Sequence, residues 1–284
     1  MSPRVLVVQP ADSDPVGRLG EWLTAAGLEL EIVDGPDTPP TLEGFAGLVV
    51  LGGPMGANDD AEHPWLATVK ALLREAVRDE VPTLAVCLGA QLLAAANGGV
   101  VHPDPDGPEL GAQLIAKRTS AATDPLFRSM PITPDVIQWH YDTIATLPPG
   151  AVQLASSPVC ANEAFRLGRL AWGVQFHIET TPDVVRAWAA KDAARLPDYD
   201  LDALVARAVG VHDDVAEVWE PFAQSFADVV RDPGSVPDAR GPAVSTAEPV
   251  TDPAAIRAAL AAELGATRST PNLGMPGVGR PADD

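Results

Sequence analysis

Cys87 has the surroundings of a nucleophile at a sharp turn between a strand and a helix. The short apolar segment TLAV precedes it at residues 83–86, and an Ala/Leu-rich helical segment follows. Small residues, Ala85 and Gly89, lie two positions before and after it, where larger side chains would clash as the two backbones converge. The following helix also directs its N-terminal N–H groups at the sulfur, which favours thiolate over thiol. We therefore predict that Cys87 is a catalytic nucleophile rather than a small buried hydrophobe.

A histidine and a carboxylate end a second apolar strand, about ninety residues further along the chain. The segment is GVQFHIE, residues 173–179, and it contains His177 and Glu179. At the carboxyl end of a strand near the cysteine, the imidazole can exchange a proton with the thiol while the carboxylate fixes its tautomer. We predict a Cys-His-Glu triad of Cys87, His177 and Glu179. The alternative is a surface ion pair between His177 and Glu179, which the preceding apolar residues disfavour.

Other residues that could do chemistry lack comparable surroundings. Cys160 has no strand-to-helix turn around it, so a packed thiol is the expected role. Acidic runs at 59–60, 212–214 and 283–284 favour solvated loops and a solvated terminus, because no second ligand cluster accompanies them. We predict no metal site and no cofactor.

Composition favours a cytoplasmic enzyme. The chain has 19 basic and 39 acidic residues, a net charge of −20, which argues against unaided binding to nucleic acid or an anionic membrane. Two cysteines provide neither a disulfide framework nor a CxxC metal motif. No apolar run approaches the ~20 residues of a membrane span, and the segment before the first predicted strand is too short for a signal peptide. We expect no nucleic-acid partner and no membrane partner.

Strands and helices alternate along the first part of the chain, as in an α/β domain with a largely parallel sheet. We predict strands at 5–8, 28–33 and 48–51, and helices at 15–26 and 64–78. A further helix begins at the capping sequence TPD, residues 181–183. Short strands follow the cysteine segment, which favours an antiparallel flank; they lie at 113–117, 136–139, 152–155 and 170–176.

The C-terminal third changes in character. We predict that one domain ends near residue 198 and that residues 199–232 form a helical extension packed on it, with a break or kink at Pro221. Residues 233–284 contain no aromatic residue and are rich in proline, which predicts a disordered tail. A short helix at 253–264 is either a transient structure or a docking helix for a partner.

Three motifs together resemble class I glutamine amidotransferases, which use a Cys-His-Glu triad. They are LGGPMG at 51–56, VCLGAQ at 86–91 and QFHIE at 175–179, and they occur in the family's order. The resemblance covers roughly residues 4–190 and is strongest to members similar to the glutaminase domain of GMP synthase. It implies a flavodoxin-like α/β domain with a mostly parallel sheet, helices on both faces and a helical C-terminal extension. The chain departs from the family at Ala85, usually glycine, and at Ile178, usually proline.

The resemblance also implies roles for residues outside the triad. The backbone amides of Gly53 and Leu88 are expected to form the oxyanion hole. Gln91 matches the family glutamine that contacts the substrate, although an exposed helix residue is the alternative. The segment expected to bind the amino-acid end of the substrate, largely through backbone groups, consists of Trp139, His140, Tyr141 and Asp142. Tyr141 replaces a common family glycine, and the His140 side chain is expected to pack rather than act as a second base.

The implied reaction is hydrolysis of L-glutamine to glutamate and ammonia through a γ-glutamyl thioester on Cys87. Ammonia would pass to a synthetase partner, because the remaining sequence is too short for an ATP-using synthetase domain and has no Walker-type loop. We therefore expect that this chain by itself is not a whole GMP synthase. One alternative is a hydrolase of γ-glutamyl peptides or amides with the same triad. A non-catalytic regulatory relative is disfavoured, because Cys87, His177 and Glu179 are all present.

We predict that Cys87 is the only essential thiol, because only this cysteine lies at a predicted strand-to-helix turn. A glutamine-like diazo-ketone should label it stoichiometrically, as detected by peptide mass spectrometry. Cys87→Ala should abolish glutaminase activity, whereas the control variant Cys160→Ala should retain it. Labelling of Cys160, or full activity in Cys87→Ala, would contradict the mechanism.

Overall fold

The apolar segments of the N-terminal part form a parallel sheet, as their alternation with helical segments predicts. The computed structural model describes residues 2–237. The parallel strands are β1 (Arg4–Gln9), β2 (Glu29–Asp34), β3 (Gly47–Val50), β4 (Thr83–Val86) and β12 (Ala171–Val174). Their order is β2-β1-β3-β4-β12. Strands β3, β4 and β12 are buried throughout, as expected of a parallel sheet covered on both faces.

The predicted antiparallel flank is confirmed at one edge of this sheet. Three strands continue it, namely β11 (Ala164–Leu167), β10 (Val152–Ser156) and β7 (Ala116–Lys117). They pair antiparallel in the order β12-β11-β10-β7. Two separate antiparallel pairs consist of β5 (Val100–Pro103) with β9 (Asp142–Thr146), and β6 (Glu109–Leu114) with β8 (Asp135–His140).

Two of the predicted strands have wrong boundaries. The predicted strand at 113–117 is divided between β6 and β7, because the chain leaves the β6–β8 pair at Ile115, whose N–H donates to the Pro134 carbonyl at 3.2 Å. The predicted strand at 170–176 ends as β12 at Val174, and the neighbouring strand β11 was missed. Both errors lie in the antiparallel flank, where pairing partners rather than local sequence fix the strand ends.

Helices cover both faces of the central sheet. They are α1 (Gly17–Ala25), α2 (Trp65–Arg78), α3 (Leu88–Ala96), α4 (Pro182–Asp192) and α5 (Leu201–Arg231). Strand β1 shows the division, since Val5 and Val7 belong to the apolar cluster of α1 and α5, while Leu6 and Val8 belong to that of α2 and α3. This alternation is the period of a strand whose two faces are both buried. None of the helices in residues 2–237 is long and apolar enough to cross a membrane.

Helix α5 continues through Pro221, so the predicted break at this position is wrong. Proline removes one helical hydrogen bond at a cost of roughly 3 kcal/mol. The large aromatic residues beside it, Trp219 and Phe222, are fully buried, and each contributes on the order of 1.5–3 kcal/mol. Phe127 contacts the Phe222 ring at a centroid distance of 5.2 Å, which anchors the helix on the sheet. Packing on both sides of the proline therefore outweighs its local cost.

The domain boundaries at 198 and 232 stay predictions. Helix α5 occupies most of the expected extension, and its buried face shares a cluster with the central sheet. Residues 238–284, including the predicted helix at 253–264, lie outside the described residues.

Gly89→Ala should destabilise the fold, because a Cβ atom at this position would lie 2.2 Å from the Val50 carbonyl oxygen. We expect a loss of about 1–3 kcal/mol in the free energy of unfolding, measured by chemical denaturation. Gly210→Ala is the matched control, since no heavy atom lies within 4 Å of its added Cβ in helix α5. That control should be neutral or stabilising by up to ~1 kcal/mol. Equal effects at the two glycines would contradict the close approach of α3 to β3.

Candidate active site

Cys87 occupies the predicted turn between β4 and α3. Its backbone has φ of 50° and ψ of −109°, a strained conformation for a residue other than glycine. Its N–H donates to the Val174 carbonyl at 2.8 Å, and its carbonyl accepts the Gln91 N–H at 3.0 Å. The residue is thus held between strand β12 and the first turn of α3. Its side chain lies on the wall of a cavity and is 6% exposed.

His177 and Glu179 form a buried pair next to this turn. The imidazole Nδ1 lies 2.6 Å from Glu179 Oε1, and both side chains are 1% exposed. The Ile178 N–H donates to Glu179 Oε2 at 2.9 Å, so the residue that replaces the family's proline adds a donor that holds the carboxylate. The Arg18 N–H, in the first turn of α1, also donates to the Glu179 carbonyl at 2.9 Å. The histidine ring is therefore oriented through one nitrogen.

Electrostatics favour a protonated His177. Burial lowers the pKa of this imidazole, but the charges of Glu179 and Cys87 outweigh it and raise the pKa well above its usual value. Within residues 2–237, His177 Nε2 has no hydrogen-bond partner. An imidazolium next to a thiol stabilises the thiolate, and it can later donate its proton to a leaving group.

The glycine turn after β3 lies directly against the reacting groups. A Cβ atom added at Gly52 would lie 2.9 Å from His177 Cε1 and 3.5 Å from Cys87 Cβ. One added at Gly53 would lie 3.1 Å from the Leu88 side chain. Gly53 and Leu88 are therefore neighbours beside the nucleophile, as the predicted oxyanion hole requires.

A cavity of about 560 Å³ opens over Cys87. The predicted site residues on its wall are Gly53, Cys87, Gln91, Trp139, His140, Tyr141 and Asp142. The predicted residues Leu88, His177 and Glu179 lie behind this wall and are buried. The fold thus brings the predicted residues together around one cavity, although they come from strands that are distant in sequence.

Gln91 connects the substrate wall to the nucleophile. Its Nε2 donates to the Asp142 carbonyl at 3.1 Å and to Gln175 Oε1 at 3.3 Å, and Gln175 Nε2 lies 3.8 Å from Cys87 Sγ. Gln91 is only 3% exposed, so the alternative of an exposed helix residue is wrong. Gln175 was missed by sequence analysis. Its signal was a polar residue within an apolar strand, two positions before His177.

Helix α4 supplies a wall that sequence analysis also missed. Asp192 Oδ2 accepts hydrogen bonds from Trp139 Nε1 at 3.0 Å and from the Tyr141 hydroxyl at 2.8 Å. The Arg195 guanidinium lies 4.1 Å from the centre of the Tyr141 ring. Burial and Asp192 raise the pKa of Tyr141, which keeps its phenol protonated. Tyr141, which replaces a common family glycine, therefore connects α4 to the cavity.

Asp14 places another carboxylate near His177. The same Cβ atom added at Gly52 would lie 3.1 Å from Asp14 Oδ1. Burial raises the pKa of Asp14, although the Ser13 hydroxyl donates to Oδ2 at 2.6 Å. Trp188 closes this side, since its ring centre lies 4.7 Å from that of His177 and its Nε1 donates to the Ser13 carbonyl at 2.8 Å.

Cys160 is a packed thiol, as predicted. It is 1% exposed, and its Sγ lies 3.4 Å from Thr143 Oγ1. Burial raises its pKa well above the usual value, which disfavours the reactive thiolate.

Comparison with known proteins agrees with this geometry. The family model described as glutamine amidotransferase class-I matches residues 19–190, more than half of the chain. The chain therefore belongs to the class I glutamine amidotransferase family.

Several relatives share this domain. The glutamine-hydrolyzing GMP synthase of Christiangramia forsetii is 35% identical over 143 residues, which are 50% of this chain and 26% of that protein. A separate glutamine-hydrolyzing subunit of the GMP synthase of Halobacterium salinarum is 35% identical over 156 residues, 54% of this chain and 76% of that relative. The crystal structure of a glutamine amidotransferase from Thermotoga maritima has a TM-score of 0.72 and 27% identity, covering 80% of this chain and 99% of the other. The match thus spans about a quarter of the first of these GMP synthases.

Glu179→Gln should lower the pKa of His177, because it removes the carboxylate charge that stabilises the imidazolium. The thiolate of Cys87 should then form only at higher pH, by about one unit or more. The pH dependence of Cys87 alkylation by iodoacetamide, followed by mass spectrometry, measures this shift without requiring turnover. Ile178→Pro is the control, since it keeps the Glu179 charge and removes only one N–H donor. Identical alkylation profiles for Glu179→Gln and the unmodified chain would contradict the role of Glu179.

Proposed function

We propose that the chain hydrolyses L-glutamine to glutamate and ammonia with Cys87 as nucleophile. The observation that supports this most is the strained, cavity-facing Cys87 beside a histidine whose other nitrogen is bound to a buried carboxylate. Membership of the class I glutamine amidotransferase family agrees with this chemistry.

The proposed reaction has two halves. In the first, the Cys87 thiolate attacks the substrate γ-carbonyl carbon, and the backbone amides of Gly53 and Leu88 stabilise the oxyanion. The imidazolium of His177 gives its proton to the departing nitrogen, so that ammonia leaves and a γ-glutamyl thioester remains. In the second, neutral His177 takes a proton from water, which attacks the thioester and releases glutamate and the thiolate. Glu179 stays ionised and holds the imidazole tautomer throughout.

The amino-acid end of glutamine would bind at the wall formed by residues 139–142. Gln91 and the Asp142 carbonyl are joined there by a hydrogen bond, and both border the cavity. A backbone carbonyl accepts from the substrate ammonium, and the Gln91 amide offers both a donor and an acceptor. Trp139 and Tyr141, held by Asp192, would keep this wall rigid.

The ammonia is proposed to pass to a synthetase partner in the cytoplasm. Similarity to the separate GMP synthase subunit of Halobacterium salinarum supports a role as the glutamine-hydrolysing component of a larger activity. The net charge of −20 gives no basis for a nucleic-acid partner.

The cavity supports a second candidate, a hydrolase of γ-glutamyl peptides or amides. Its volume of about 560 Å³ exceeds what glutamine alone would fill, and the loop that follows Gly53 borders it through Met55, Asn58 and Asp59. A peptide substrate needs such room beyond the γ-carbonyl for its next residue. The two candidates share the same triad, so the triad does not distinguish them.

Purified protein assayed side by side with L-glutamine and a γ-glutamyl dipeptide separates the candidates. We expect weak glutaminase activity and little dipeptide cleavage, because an ammonia-delivering glutaminase is normally completed by its partner. Cys87→Ala should remove both activities and serves as the control for contaminating enzymes. Efficient partner-free turnover of the dipeptide would overturn the proposed function in favour of the hydrolase.

A further inference from the structure

Three ionisable side chains converge in the interior below the cavity wall. Glu109 lies on β6, His140 ends β8, and Glu163 immediately precedes β11. They are 3%, 3% and 0% exposed, respectively. One ligand atom from each lies within 4.8 Å of the other two. Burial of two carboxylates in one place is costly unless a positive charge or protons compensate them.

Each carboxylate has one oxygen held and one oxygen free. The Ser157 hydroxyl donates to Glu109 Oε1 at 2.9 Å, and Gln138 Nε2 donates to Glu163 Oε1 at 2.7 Å. The other oxygens, Glu109 Oε2 and Glu163 Oε2, are buried and have no hydrogen-bond partner among residues 2–237. A metal-binding carboxylate shows this arrangement, in which outer partners orient one oxygen and the other binds the ion.

His140 shows the same division between its two nitrogens. Nδ1 lies 2.9 Å from the Asp142 carbonyl, and because a carbonyl only accepts, Nδ1 carries the proton. Nε2 is buried and, within the described part of the chain, lacks a hydrogen-bond partner. Glu109 Oε2 lies 3.2 Å away but is not aligned as a hydrogen bond. In the neutral imidazole, Nε2 therefore offers a lone pair to the same space that the two carboxylates face.

The distances suit a small divalent ion. Ligands at about 2.0–2.2 Å from a tetrahedral ion are roughly 3.3–3.6 Å apart, close to the 3.2 Å between His140 and Glu109. The cluster also lacks compensating charge, since burial and the neighbouring Glu109 raise the pKa of Glu163 well above its usual value. A divalent cation would neutralise both carboxylates at once.

We propose that Glu109, His140 and Glu163 bind a divalent first-row transition-metal ion such as Zn²⁺ or Mn²⁺. Two carboxylate oxygens and one imidazole nitrogen, without a thiolate, are suited to these ions. The ion is structural, because it lies behind the cavity wall rather than at Cys87. It would fix His140, whose Nδ1–H binds the same Asp142 carbonyl that Gln91 contacts. This inference goes beyond the proposed function and does not rest on it.

The sequence analysis predicted no metal site, because these ligands are far apart in the chain. Glu109 and His140 come together through the antiparallel register of β6 and β8, where they are direct partners. The competing arrangement is a cluster without metal, in which protons compensate the carboxylates. The two arrangements differ in a quantity that can be measured without any assay of activity.

Metal content of the full-length chain, purified without an affinity tag or chelator, tests the proposal by inductively coupled plasma mass spectrometry. We expect about one transition-metal ion per chain. The double variant Glu109→Gln/Glu163→Gln should retain roughly a tenth or less, because the amides keep the shape of the side chains but lose the charge. Cys87→Ala should keep its metal, and so should Asp183→Asn, a control on an exposed acid of α4.

Binding of Co²⁺ to the dialysed, unmodified chain gives a second readout that does not require a folded variant. A bound ion whose spectrum lacks a thiolate-to-cobalt charge-transfer band supports the proposed ligands. A thiolate band would place the ion at a cysteine and overturn the proposal. Absence of metal in the purified chain, together with no binding of added Zn²⁺, Mn²⁺ or Co²⁺, would overturn it in favour of the protonated cluster.

Discussion

The strained backbone of Cys87 is the constraint on which the rest of the site depends. A residue with φ of 50° turns the chain sharply from β4 into α3, so that the sulfur and the first N–H groups of the helix meet at the sheet edge. Such a conformation costs about 1–3 kcal/mol and persists only where the surroundings fix it. Here β12 holds the Cys87 N–H, and α3 approaches β3 so closely that only glycine fits at residue 89. Strand β12 then leads directly to His177, so that one packing arrangement places both the nucleophile and its base.

The second layer of the site comes from the helices after the triad. Trp188 packs against His177 and holds the Ser13 carbonyl, while Asp192 binds Trp139 and Tyr141 on the opposite wall. Helix α4 therefore joins the histidine to the wall proposed to bind the substrate. Helix α5 in turn packs on α4 and on the sheet, which gives the C-terminal helix a structural reason to accompany this domain.

Sequence alone predicted those features that depend on neighbours along the chain. The turn at Cys87, the His177–Glu179 pair and the parallel strands follow from short motifs and apolar runs, and they are where the sequence places them. Gln175, Asp192 and the Glu109–His140–Glu163 cluster were missed, because antiparallel register and helix packing bring these residues together. The predicted break at Pro221 was wrong for a related reason, since burial of flanking aromatic residues outweighs a local propensity.

The central claim is that Cys87 forms a γ-glutamyl thioester. The most direct measurement is peptide mass spectrometry of protein that is mixed with L-glutamine and quenched in acid within the first turnover. The account predicts a glutamyl adduct on Cys87 that disappears after hydroxylamine treatment, since hydroxylamine cleaves thioesters. Ammonia release at the normal rate with Cys87 unmodified throughout, or an adduct confined to another residue, would contradict it.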